Sequence, residues 1–145
     1  MSRSGYSDDL DEGVLNLYRA NVERAIKGKR GQAFLKVMAK CLDEMPVKEL
    51  IVEKLIDEDG GCCAIGVVCK ARGLDVSKVD EYDSQEVGAL VGIASPLAAE
   101  IAYLNDMDGS YSISWSGARS PDETPGNRWQ RMRRWVQEQT VKEEV

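Results

Sequence analysis

The sequence predicts a mainly α-helical domain of five to six helices, with the option of a small β-hairpin near residues 48–63. Over several stretches, apolar residues recur at intervals of three and four, the spacing of an amphipathic helix. Glycine, proline and capping residues stand at the ends of these stretches. The content of 43% hydrophobic and 30% charged residues is ordinary for a globular protein. We therefore expect one globular domain over residues 7–141, between loose tails at 1–6 and 142–145.

Two amphipathic helices are predicted in the first third of the chain. The first starts at Ser7 or Asp8, either of which can cap it, and closes with a basic turn around Gly28. The second extends over 32–45 and is ended by the proline that follows. Its apolar stripe contains Cys41, which we interpret as a buried structural thiol.

The stretch 63–71 is predicted to be the helix around which the rest of the chain packs. It is almost wholly apolar and small, and a helix that is apolar on all faces belongs inside a core. Gly73 stands where such a helix ends in a left-handed residue. The preceding apolar stretch 47–56 fits either a short strand or a helical segment, and we favour a strand or hairpin leading into the helix.

A pair of short helices is predicted over residues 84–105. Asp83 and Glu86 are spaced as a capping box, in which Asp83 caps the first helix and Glu86 reaches back to it. A turn at 92–94 separates this helix from the next, which Ser95 caps and Asn105 ends.

This pair resembles a helix-turn-helix, because its small and apolar residues stand at the spacings that a tight helix pair needs. A recognition helix also needs Arg, Lys, Asn or Gln side chains for base edges and phosphates. The stretch 96–104 contains none of them and carries Glu100 instead. We therefore expect the geometry of the motif without direct nucleic-acid binding.

Residues 106–123 are predicted to be a long irregular loop with a short strand near 112–115. Loops of this length in a small domain are often functional. Tyr111 and Trp115 either take part in such a function or cover the core. Thr124 and the proline after it then open the last helix.

The last helix combines an apolar stripe that contains two tryptophans with a set of arginines. Tryptophan and arginine together can grip nucleic acid, which leaves that interpretation open. We favour the alternative in which the tryptophans are core residues and the arginines pair with acids of the protein itself. The arginines are Arg128, Arg131, Arg133 and Arg134.

The net charge of −6 is unevenly distributed along the chain. Residues 46–110 hold 5 Lys and Arg against 13 Asp and Glu, net −8, whereas the segments on either side are each net +1. Such a field favours basic partners and repels nucleic acid. A run of acids can also be no more than a solvated face. The predicted partner contacts are Asp57, Glu58, Asp59, Asp80, Glu81, Asp83 and Glu86.

The sequence lacks the residue patterns of histidine-dependent catalysis and of zinc and calcium sites. The chain has no histidine, which removes the usual Ser-His-Asp and Cys-His catalysis and the commonest zinc ligand. Its four cysteines form no C-x₂-C pair, and Asp-x-Asp-Gly at 57–60 and 106–109 has its glycine at the wrong position for a calcium loop. We expect no metal and no cofactor. An enzyme would depend on Cys62 or Cys63 with a pKa lowered at a helix start.

No stretch approaches about 18 uninterrupted apolar residues, and the first residues lack the apolar region of a secretory signal. We therefore expect no membrane association and a cytoplasmic location, with the cysteines as reduced thiols.

One residue order connects several of these elements. It runs G-x-C-C-A-I-G, then Asn105-Asp106, then Glu123-Thr124-Pro125, then Arg128-Trp129-x-x-Met132-Arg133-x-Trp135-Val136. This order resembles small uncharacterised acidic proteins found in phages, prophages and some bacteria, over about residues 32–137.

The resemblance implies an accessory phage protein in the host cytoplasm. By analogy it implies an inhibitor of host or anti-phage defence machinery, acting as anti-CRISPR or DNA-mimic proteins do. The expected partner is a host or defence protein with a basic nucleic-acid-binding surface, and a homodimer stays open. Two alternatives are a helix-turn-helix DNA-binding regulator over 84–105 and a cysteine-dependent enzyme.

Overall fold

The computed structural model describes residues 12–106 and 123–140, and these residues form six helices and no strand. The prediction of a mainly α fold is confirmed. The helices are α1 (Glu12–Lys27), α2 (Lys29–Asp43), α3 (Ala64–Arg72), α4 (Ser84–Val91), α5 (Ser95–Asp106) and α6 (Pro125–Gln139). Outside the described residues lie the predicted tails, the caps Ser7 and Asp8, the strand near 112–115, Tyr111 and Trp115.

Helix α3 lies in the core and packs against α2 and α5, as its apolar sequence predicts. Cys63 is the N-cap, and its Sγ accepts a hydrogen bond from the Gly66 amide at 3.4 Å. Gly73 ends the helix in the left-handed region at φ +68°. A Cβ atom on Gly66 would lie 1.8 Å from the carbonyl oxygen of Leu55, so this position has no room for a side chain. The missing side chain lets the preceding loop lie directly on the helix.

The junction between α1 and α2 is tighter than the sequence predicts. Helix α2 begins at Lys29, three residues before the predicted start, because Gly28 alone makes the turn. Gly28 is extended, at φ −69° and ψ 162°, and its carbonyl accepts from the Gln32 amide at 2.9 Å. The basic residues around Gly28 therefore end one helix and begin the next.

Helices α4 and α5 meet at 105°. Asp83 caps α4 as predicted, with its Oδ1 accepting from the Gln85 amide at 2.9 Å. The reciprocal half of the capping box is wrong, since the Asp83 amide donates to the Asp80 carbonyl at 3.0 Å instead of to Glu86. Helix α5 also continues one residue past the predicted end at Asn105.

The optional hairpin near 48–63 is not formed. Its strand-like pairing is limited to one isolated antiparallel bridge between Ile56 and Cys62. Other elements provide partners for its buried backbone groups. Arg128 Nη1 donates to the Leu50 carbonyl at 2.7 Å, and Asn105 Nδ2 donates to the Ile51 carbonyl at 2.8 Å.

Helix α6 closes the domain against α2. Thr124 caps it by accepting from the Asn127 amide at 3.1 Å, as its position before a proline predicts. Met132 and Val136 are fully buried. Trp129 packs against the core, and its Nε1 donates to the Leu42 carbonyl at 3.1 Å. The interpretation of this tryptophan as a core residue is therefore confirmed.

We predict that Gly66→Ala destabilises the protein by about 3 kcal/mol or more, because the added methyl group meets backbone that cannot move aside. Ala71→Ser, an exposed position on the same helix, should cost less than about 1 kcal/mol. Urea denaturation followed by circular dichroism measures both values. Equal stability of the two variants would contradict the close contact between Gly66 and Leu55.

We predict that Asn105→Ala costs about 2–4 kcal/mol of stability. The Asn105 side chain donates to the Ile51 carbonyl and accepts from the Ala64 amide at 3.0 Å, and the residue is fully buried. Its loss leaves both backbone groups without that partner. Asn127→Ala, at an exposed position on α6, is the control and should stay within about 0.5 kcal/mol of the wild type.

Candidate partner-binding surface

The structure brings the two acidic segments of the prediction, 57–59 and 80–86, next to each other. Glu81 Oε1 accepts a hydrogen bond from the Leu55 amide at 2.7 Å, which joins the second segment to the loop that carries the first. Ile56 and Glu81 also line the same open cavity of about 490 Å³. The second acidic run is therefore bound to the residues that come just before the first.

Four of the seven predicted contact residues hold the chain's own backbone. Asp57 Oδ1 accepts from the Asp59 and Gly61 amides at 2.9 and 2.7 Å, which closes the turn before α3. Asp80 Oδ1 accepts from the Tyr82 amide at 2.9 Å. Glu81 binds the Leu55 amide and Asp83 caps α4. The backbone hydrogen bonds that these four carboxylates accept account for their presence in the sequence.

The other three, Glu58, Asp59 and Glu86, are exposed. No ion pair joins any of them to a basic side chain in residues 12–106 and 123–140. They are the carboxylates with room for a partner, and we call Glu58, Asp59 and Glu86 the acidic face.

Three of the four arginines singled out in the sequence bind groups of the chain itself. Arg128 and Arg131 flank the Glu123 carboxylate, with Nε to oxygen distances of 3.4 and 2.8 Å. Arg133 binds Asp43 through two nitrogens at 2.8 and 3.0 Å, and this hydrogen bonding holds the pKa of the Asp43 carboxyl below its usual range. Arg134 is exposed.

The acids that these arginines bind do not belong to the acidic middle segment. Glu123 and Asp43 both lie outside residues 46–110. Three of the arginines thus pair with acids of the protein itself, as expected, and these acids come from outside the middle segment. The groups of that segment that Arg131 binds are backbone carbonyls. It donates hydrogen bonds to the carbonyl oxygens of Leu104 and Asn105. Main-chain acceptors carry no formal charge, so these contacts neutralise none of the carboxylates of the segment.

The second helix of the helix-turn-helix resemblance is an interior helix. No residue of α5 is exposed, and eight of its twelve residues are buried. Its Glu100 is 4% exposed and binds Arg19 of α1 through Oε2. A recognition helix must present a face to a DNA groove. Helix α5 presents its faces to the core.

Three of the four cysteines, Cys41, Cys62 and Cys69, lie in surroundings that favour the thiol over the thiolate. Cys62, Cys63 and Cys69 are buried, and burial raises the pKa of Cys62 and raises that of Cys69 to about 12. Burial also raises the pKa of Cys41, which is half-buried. The lowered pKa that a nucleophilic Cys62 needs is therefore opposite to the shift found. Cys63 uses its sulfur as the N-cap of α3.

Within residues 12–106 and 123–140, no three His, Cys, Asp or Glu side chains are grouped so that they could hold a metal ion. In the same residues no single helix has the length and apolar character needed to cross a membrane. The bent pair α4–α5 meets that criterion only when its two helices are counted together.

A groove that the sequence does not indicate lies between the end of α2, the loop 45–51 and α3. Its volume is about 650 Å³, and its walls are mainly apolar. Met45, Val47, Cys62 and Ala71 are among the residues that line it. These residues are separated by up to 26 positions and share no motif, so only their packing reveals the groove.

Comparisons of the chain with protein-family models, with curated proteins and with solved structures found no match.

We predict that thiol alkylation of the native protein at pH 8 is slow, because every sulfur with a shifted pKa is shifted upward. Half-buried Cys41 should react first and Cys69 last. Mass spectrometry of iodoacetamide-treated protein, with a urea-denatured sample as the control, measures the order. Rapid labelling of Cys62 or Cys63 in the native protein would instead favour the cysteine-dependent enzyme.

Proposed function

We propose that this protein is a non-catalytic binding protein whose acidic face docks onto a basic surface of another protein. In line with the resemblance to phage proteins, the expected partner is a host or defence protein that handles nucleic acid, and the expected effect of binding is inhibition. The protein would act in the cytoplasm of the host.

The observation that carries this proposal is the set of three exposed carboxylates on two adjacent segments. Glu58 and Asp59 lie in the turn that Asp57 closes, and Glu86 lies in the first turn of α4. The bond between Glu81 and the Leu55 amide holds the two segments together. A fixed array of negative charge attracts a basic surface and competes with the phosphates that such a surface normally binds.

The contacts of the basic residues add support. Arg128 and Arg131 are directed into the domain, where they bind Glu123 and main-chain carbonyls. Their charge therefore does not neutralise the acidic face. These two arginines point inward and the carboxylates of the acidic face point outward. The charge at this surface is therefore opposite in sign to that of a nucleic-acid-binding surface.

We predict that Glu58→Gln/Glu86→Gln abolishes capture of the basic partner. The immobilised protein is incubated with host lysate at low and at high salt, and the retained proteins are identified by mass spectrometry. Wild-type capture should be strong at low salt, should weaken steeply with added salt and should be reversed by duplex DNA, because exposed charges are screened and DNA competes for the basic surface.

The matched control is Glu23→Gln/Glu138→Gln, which also removes two exposed carboxylates but leaves the acidic face intact. This control should capture the same protein as the wild type. Capture that is equally weakened by both variants would mean that only net charge matters. Capture that survives Glu58→Gln/Glu86→Gln would overturn the acidic face as the contact.

A further inference from the structure

The groove between α2 and α3 has apolar walls and an acidic rim. Glu44, Glu49 and Asp59 stand among its lining residues, and all three are exposed. Asp59 also belongs to the acidic face, so the groove and the face are continuous. Val47, another lining residue, is 59% exposed and is one of the few large apolar side chains so exposed in the described residues.

The basic residues beside the groove are held by carbonyl oxygens of the chain. Lys70, the basic residue in its lining, donates from Nζ to the Gly60 carbonyl at 3.1 Å. Lys48 donates to the Asp43 and Met45 carbonyls, each at 2.9 Å, and its Nζ lies 5.4 Å from the centre of the Trp129 ring. Both ammonium groups are thus fixed on main-chain acceptors.

The carboxylates at the rim of the groove make weaker contacts with the chain than these two lysines do. Glu44 approaches Lys40 at 4.0 Å, with both side chains more than 60% exposed. Such a pair contributes little and is easily exchanged for another cation. The rim therefore carries three carboxylates available to a cation, around walls that favour an apolar group.

We propose that this groove binds a segment of the partner in which an apolar side chain is flanked by lysine or arginine. The inference rests on the proposed function and names the chemistry of the partner at that surface. The apolar side chain would enter between Met45, Val47 and Ala71, and its basic neighbours would meet Glu44, Glu49 and Asp59. A volume of about 650 Å³ accommodates one or two large side chains and lies within the range of ligand sites.

The test is a selection from a ribosome-displayed library of random twelve-residue peptides against the wild-type protein. We expect enrichment of peptides that place a large apolar residue next to Lys or Arg. Val47→Ser should weaken their binding about tenfold, because it removes the apolar contact at the lip of the groove. Ala71→Trp should abolish it by filling the groove from an exposed position.

Leu17→Ser is the matched control, since Leu17 is 61% exposed on α1 and does not line the groove. It should leave peptide binding unchanged, and circular dichroism shows whether each variant is folded. Because Val47 is exposed, Val47→Ser provides a test even if Ala71→Trp fails to fold.

Every other outcome contradicts the proposal, and each shows which part of it is wrong. Enrichment of acidic peptides, or of none, excludes a basic segment as the occupant. Basic peptides that bind Val47→Ser as tightly as the wild type place the contact outside the groove. A wild-type dimer that Val47→Ser converts to a monomer in sedimentation makes a second copy the occupant.

The same variants separate this inference from the proposed function. Lysate capture that is lost in Glu58→Gln/Glu86→Gln but kept in Val47→Ser and Ala71→Trp retains the acidic face and removes the groove. Lysate capture that is lost in Val47→Ser but survives Glu58→Gln/Glu86→Gln retains the groove and removes the acidic face.

Discussion

The structure depends on how the irregular segment between α2 and α3 satisfies its backbone hydrogen bonds. Leu50 and Leu55 of this segment are fully buried, and a buried backbone group without a partner is costly. The segment is itself neither a helix nor a strand, so regular secondary structure does not supply those partners. Instead Arg128 binds the Leu50 carbonyl, Asn105 binds the Ile51 carbonyl and Glu81 binds the Leu55 amide. Side chains from three separate parts of the chain thereby fix one loop.

The same contacts explain several members of the residue order that runs from G-x-C-C-A-I-G to Val136. Asn105 connects α5 to the loop and to the start of α3. Glu123, whose side chain is 6% exposed, binds Arg128 and Arg131, which donate to the Leu50 carbonyl and to carbonyls at the end of α5. Thr124 caps α6 and Trp129 binds the end of α2. The order therefore describes a structural network, and the surface proposed for binding lies mostly outside it.

The carboxylates that stabilise the fold differ from the ones proposed for binding, although both sets belong to one acidic segment. Asp57, Asp80, Glu81 and Asp83 accept backbone hydrogen bonds, which makes them parts of turns and caps. Glu58, Asp59 and Glu86 project from the turns and the cap that these acids build. An acidic composition is thus compatible with a folded domain, because the structural carboxylates set the positions of the exposed ones.

The sequence by itself determined the helices, because periodicity and capping are local properties. The apolar stretch before Gly73, the cap at Asp83 and the cap at Thr124 all lie where their patterns predict. Only the tertiary structure decided the conformation of residues 48–63, since its hydrogen-bond partners, Asn105 and Arg128 among them, lie up to 78 positions away. It also decided that α5 is interior and that Val47 and Ala71 share a groove, because burial and cavities arise from packing between elements that no local pattern records.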